Sequence, residues 1–110
     1  MSAESEVIMN TNFLGPKRVT EALIDLIDSR IVNTSSEIAS RWLRDQDADT
    51  KKLYSNPDIT FEELDASVKA NVAAKNFIRR IGTGYGLSKA ALCSLTLIQA
   101  KVSTAREFCQ

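Results

Sequence analysis

The sequence contains no histidine. Imidazole therefore cannot ligate a metal or serve as a general base, which removes Ser-His, Cys-His and zinc-hydrolase schemes for these residues. Cysteine is scarce as well: Cys93 and Cys109 are the only two. That is too few for a disulfide scaffold and points to reduced thiols in the cytosol. No charge of one sign dominates, since 14 Lys and Arg balance 14 Asp and Glu. A nucleic acid or an anionic membrane surface calls for a basic excess, so neither is an expected partner. No apolar run approaches the roughly 20 residues of a membrane span. The opening Met1 to Glu6 is acidic and lacks the pattern of a secretory signal. Glycine is limited to Gly15, Gly82, Gly84 and Gly86, and none of them follows a strand into a helix as a phosphate-cradling turn requires.

What remains is ordinary for a globular domain: 110 residues, 44% hydrophobic and 25% charged, enough for one small unit. Val7, Ile8, Leu14, Val19, Ala22, Leu23, Leu26 and Ile27 recur at helical spacing and predict a helix over 4–27. Gly15-Pro16 inside that pattern predicts an irregular turn, with Asn12 in it. Arg30 to Ser35 is short and β-branched and predicts a buried parallel strand. From Glu37 to Ser55 the chain is polar, with Trp42 and Leu43 its large apolar pair, and a solvated helix or loop is expected. Asp45, Asp47 and Asp49 alternate there. An EF-hand loop would need a glycine at its sixth position and a glutamate at its twelfth, so no metal site is expected. Thr60 with Glu63 forms a capping-box signature for a helix running to about Arg80. After Gly82-Thr83-Gly84, a last helix is expected from Tyr85 to about Arg106.

Tyr85 and Lys89 stand at i and i+4, on one helix face and about 6 Å apart along the axis. A free phenol is a poor acid at neutral pH, but a cation about 4 Å away stabilises its anion by about 4 kcal/mol at an effective dielectric of about 20. The pair is therefore a candidate proton donor for a developing alkoxide. Read without that role, it is a surface tyrosine beside a solvated lysine. Ser35-Ser36 follows the expected strand, where α/β ligands bind; helix capping is the ordinary alternative for such serines. An asparagine inside a helix, as Asn12 is expected to be, is unfavourable without a local reason.

The order of these motifs resembles the short-chain dehydrogenase/reductase family: Asn12-Phe13-Leu14-Gly15, then Arg30-Ile31-Val32-Asn33-Thr34-Ser35-Ser36, then Tyr85-Gly86-Leu87-Ser88-Lys89. The interval between Ser36 and Tyr85 is far longer than in ordinary members, and an insertion at about 37–82 is similar to that of the cytosolic carbonyl reductase branch. The resemblance implies an α/β fold, a part of a Rossmann-type doubly wound parallel sheet, helix-rich here with three to four helices and one strand. It implies that residues 1–110 are the central, catalytic part of the domain, without the amino-terminal dinucleotide-binding part and the carboxyl-terminal part, and inactive by themselves. By the same resemblance Tyr85 protonates the carbonyl oxygen, Lys89 assists its ionisation and binds the nicotinamide ribose, Ser36 donates to the substrate oxygen, and Asn12 holds a water in a relay to Lys89. The expected cofactor is NADPH, which Asn12, Tyr85 and Lys89 would help to bind. The expected substrate is a small ketone, aldehyde or quinone, and the complete protein would be a cytoplasmic monomer. The competing readings are a non-catalytic truncated relative and a helical interaction module.

Overall fold

The computed structural model describes residues 3–26, 30–77 and 84–109, with side chains over 4–26, 30–77 and 84–101. The chain opens with α1 (Ala3–Met9), whose Glu4 and Glu6 suit the positive end of a helix. A π turn, Asn10–Leu14, leads into α2 (Gly15–Leu23) and a 3-10 turn, Ile24–Leu26. The cause of the π turn lies in the sequence. Pro16 has no N–H for the carbonyl four residues back, so the regular ladder cannot run through Asn12. Arg18 takes up part of the slack, donating to the Asn10 Oδ1 at 2.9 Å and to the Asn10 carbonyl at 3.3 Å.

Two short helices follow where a solvated stretch was expected: α3 (Ile38–Arg44) and α4 (Ala48–Ser55). Asp47 caps α4, its Oδ1 accepting from the Thr50 amide at 2.8 Å, and that hydrogen bond holds its carboxyl below the usual range. The segment is polar on average yet buries Trp42 and Tyr54, whose rings meet at 5.3 Å. Helix α5 (Phe61–Ala73) starts on the expected capping box, with the Thr60 Oγ1 accepting from the Glu63 amide and the Glu63 carboxylate accepting from the Thr60 amide.

The helix ends earlier than the expected Arg80. Lys75 adopts a left-handed φ of 54°, and the amides of Asn76 and Lys75 return to the carbonyls of Asn71 and Val72. This is a Schellman closure with lysine where glycine is usual. Asn76 then fastens the end of α5 to α3: its carbonyl accepts from Trp42 Nε1 at 2.7 Å, and its amide donates to Gln46 Oε1 at 2.6 Å and Asn71 Oδ1 at 2.8 Å. Residues 78–80 and the Gly82-Thr83 part of the expected break lie outside the described residues.

Helix α6 (Tyr85–Cys109) is the central element, packing against α3, α5, α4, α1 and the π turn. Leu87, Ala91 and Leu95, four apart, are at most 2% exposed. Around them gather Phe13, Trp42, Leu64 and Val68, a helix-on-helix core in which each large side chain contributes on the order of 1.5–3 kcal/mol. Helix α2 buries no residue, and Val19 and Leu23 on it are exposed, as is Leu26 in the 3-10 turn that follows.

The expected fold class is corrected here. Among the described residues there is no strand and no sheet, so the structure does not display a Rossmann-type parallel architecture. Residues 30–36 are extended, as their β-branched composition suggests, but they lie along α6 and are held by side chains. A strand exists only through backbone bonds to a neighbour, and β-propensity reports an extended half-buried surface rather than a paired one.

Candidate active site

The candidate site lies on the first two turns of α6 and on the extended segment beside them. Gly84 sets the entry. Its φ of 83° is open to glycine at little cost, and its carbonyl accepts the Ser88 amide at 2.9 Å, starting the helix. Tyr85 then stands at the surface, 36% exposed, while Leu87 and Ser88 turn inward with no exposure. Lys89, one turn on, places its ammonium 5.7 Å from the centre of the Tyr85 ring, within cation–π range. The same ammonium donates to the Thr34 carbonyl at 2.9 Å.

The extended segment runs antiparallel to α6, with higher numbers toward the start of the helix. Asn33 donates to Thr96 Oγ1 at 2.9 Å and to Gln99 Oε1 at 2.8 Å. Ser35 Oγ donates to the Lys89 carbonyl at 3.4 Å and lies 3.1 Å from Cys93 Sγ. These bonds bring the Thr34 carbonyl to the Lys89 ammonium.

The expected site residues are thus distributed as follows. Tyr85 and Lys89 share one face and lie close together. Asn12 sits in the π turn and reaches the same helix, its Nδ2 donating to Ser88 Oγ at 3.2 Å. Ser36 opens α3: its Oγ accepts from the Ile38 amide at 3.3 Å and its carbonyl accepts from the Ala39 amide at 3.0 Å. Its hydroxyl proton points away from that amide, since the oxygen is the acceptor. Of the two serines, the one bonded to α6 is Ser35.

Ser88 and Thr34 are the residues that motif reading missed. Ser88 carries a usable signal: a serine in the first turn of a helix, three residues after its start, is positioned to bond back to a carbonyl. Thr34 contributes through its backbone and leaves no sequence signal. Two apolar grooves exist elsewhere. One of about 370 Å³ is lined by Thr20, Ile24, Phe61, Leu95 and Ile98 among others, and one of about 270 Å³ by Met9, Phe13, Val68 and Val72 among others. Neither is lined by Tyr85, Lys89 or Ser36.

The residues present fit one end of a dinucleotide. An ammonium has three donors, and the Thr34 carbonyl takes one, leaving others for a ribose diol beside an exposed phenol. They do not fit the diphosphate end. Gly84, the described glycine with positive φ, does not open onto a phosphate: a Cβ there would lie 3.0 Å from both Met9 Cε and Phe77 Cε1.

Among the described residues no helix is long and apolar enough to cross a membrane. No protein-family model matches the chain, and no solved structure matches it. Curated relatives do. The chain is 31% identical to carbonyl reductase (NADPH) 1 of Bos taurus over 105 aligned residues, which cover 89% of this chain and 38% of that protein. It is 32% identical to carbonyl reductase (NADPH) 1 of Oryctolagus cuniculus and 30% identical to that of Homo sapiens over the same shares. The chain therefore spans about two fifths of the length of the relatives it matches, and the resemblance read from the motifs is borne out at the level of kinship.

Proposed function

We propose that this relative of the carbonyl reductases carries the proton-donating face of an NADPH-dependent carbonyl reductase, acting on a small ketone, aldehyde or quinone. The observation that supports the reading is the Tyr85–Lys89 pair: one turn apart, facing one another at the surface, at the positions where the motif order places an acid and its cationic partner. When bound, the nicotinamide supplies the hydride.

The chain's own groups do the rest. The Tyr85 hydroxyl delivers a proton to the carbonyl oxygen as it becomes an alkoxide. Lys89 holds positive charge beside the phenol while the Thr34 carbonyl fixes the ammonium in place, and its remaining donors orient the ribose. Ser36 directs its hydroxyl proton to the same substrate oxygen, as an oxyanion donor does. The carbonyl oxygen of the Asn12 side chain is the atom that would hold a relay water. The reaction also needs a phosphate-binding turn, and the spacing of Gly15, Gly82, Gly84 and Gly86 does not suit one.

The test is NADPH consumption with a panel of quinones, aldehydes and ketones, measured for this chain and for the chain joined to a relative's dinucleotide-binding segment. The chain by itself is expected to be inactive and the joined protein active. Tyr85→Phe should abolish turnover, Lys89→Met should weaken both turnover and cofactor binding, and Ser36→Ala should cost on the order of 10²–10³ in turnover. Near-normal turnover in Tyr85→Phe refutes the mechanism.

A further inference from the structure

Between Tyr85 and Lys89 lies a side chain to which the motif assigns nothing. Ser88 is fully buried at the start of α6. A buried hydroxyl must satisfy its proton and its lone pairs or pay for their desolvation. Ser88 satisfies both with partners that belong to the candidate site. Its Oγ donates to the carbonyl of Tyr85 at 2.7 Å and accepts from the Nδ2 of Asn12 at 3.2 Å.

The resulting chain has one direction: Asn12 N–H to Ser88 oxygen, then Ser88 O–H to the Tyr85 carbonyl. An amide nitrogen can only donate and a carbonyl can only accept, so the two ends orient the hydroxyl between them. Bonds linked in this way polarise one another in the interior. Each end is anchored. Asn12 belongs to the π turn that Pro16 imposes, which packs on α6. The Tyr85 carbonyl belongs to the first turn of α6, and a serine bonding back onto such a carbonyl shifts the local helix geometry. Tyr85 is 36% exposed, so the turn that carries it has a share in placing its ring alongside the packing around it.

We propose that Ser88 is a positioning residue. It transmits the hold of the π turn, through Asn12, to the backbone of Tyr85, and so sets where the phenol stands relative to Lys89. Asn12 acts on the acid through Ser88, in addition to any water it holds. The catalytic consequence rests on the reading of Tyr85 as the proton donor; the mechanical coupling does not.

A double-mutant cycle tests it with two readouts. Ser88→Ala removes the link. Asn12→Asp keeps the size of the side chain but replaces the donor with an acceptor, which draws the Ser88 proton away from the Tyr85 carbonyl. The first readout is the ring signals of ¹³C-labelled Tyr85 in this chain, in a Tyr54→Phe background so that a single tyrosine remains. Each substitution should shift those signals, and the double variant should add nothing further. The second readout is kinetics of the joined protein: each single variant should lose about tenfold in kcat with KM within about twofold, because misplacement of the acid weakens chemistry more than binding, and the double variant should match the singles. Unshifted ring signals in Ser88→Ala, or additive effects in the cycle, overturn the proposal. If the joined protein shows no turnover, the functional reading fails while the ring signals still decide the coupling. Should Ser88→Ala not fold, Asn12→Asp carries the same prediction at a half-buried position.

Discussion

Gly84→Ala puts the entry to α6 under a load that can be worked out from the structure. Two terms add. The φ of 83° lies in the left-handed region, where an L side chain costs about 1 kcal/mol. The new Cβ would also stand 3.0 Å from Met9 Cε and 3.0 Å from Phe77 Cε1. The methionine end can move cheaply, but the ring packs against the core, and overpacking of this kind costs about 1–3 kcal/mol. The expected loss is therefore about 2–4 kcal/mol. For a chain of this size that corresponds to a fall in Tm of roughly 8–16 °C, read by circular dichroism or by urea titration. The terms separate in a Phe77→Ala background. There the same substitution should cost only the backbone part, about 1 kcal/mol, because one of the close contacts is gone. A loss below about 0.5 kcal/mol in the original background would refute the reasoning, since that is the range of an indifferent surface change.

Thr60→Ala removes the cap of α5 and should cost about 1 kcal/mol in urea unfolding, with a smaller loss for Glu63→Ala; equal stability of Thr60→Ala and the original would show that the capping box is idle. Burial pushes the pKa of the Tyr54 phenol above its ordinary value, so that it ionises only at higher pH. The fold therefore prefers the neutral phenol, whose contribution is whole below about pH 10, where the unfolded phenol ionises, and is lost as the pH climbs toward the folded-state value. Melting curves at alkaline pH should accordingly flatten in Tyr54→Phe, and parallel pH dependence in the two proteins would contradict the assignment.

The helices were legible in the sequence wherever a local rule governed them. Thr60 with Glu63 marked the start of α5, and Gly15-Pro16 marked the irregular turn that holds Asn12. The end of α5 was not legible, because Lys75 occupies the left-handed position that glycine normally signals, and the closure depends on Asn76 reaching Trp42 and Gln46 from elsewhere in the chain. The polar run after Glu37, read as a solvated helix or loop, is two helices, and the burial within them was not legible for a related reason. Its apolar residues are few, and Trp42 and Tyr54 count through their size and their partners rather than through periodicity. Arg30 to Ser35 was read as a strand because Ile31 and Val32 favour extended backbone. Pairing is a property of what lies alongside, and what lies alongside here is a helix. The Tyr85–Lys89 pairing followed from helix geometry alone. The link through Ser88 did not, since it joins residues 76 positions apart and depends on where the π turn aims one amide.

The clasp at Asn76 also makes the protein its own optical instrument. Trp42 is the single tryptophan of the chain, 1% exposed, with its indole N–H bonded to the Asn76 carbonyl and its ring 5.3 Å from that of Tyr54. An indole so enclosed should emit toward the blue and resist external quenchers. Light absorbed by Tyr54 at that separation should pass to the indole rather than leave as tyrosine emission. The blue emission and the protection from quenchers are lost if the end of α5 lets go of α3, whether or not the helices themselves melt, while the transfer from Tyr54 persists as long as α3 and α4 stay together. Emission colour therefore reports one joint, while far-ultraviolet dichroism reports the helices, and a difference between the two midpoints would reveal that joint opening first.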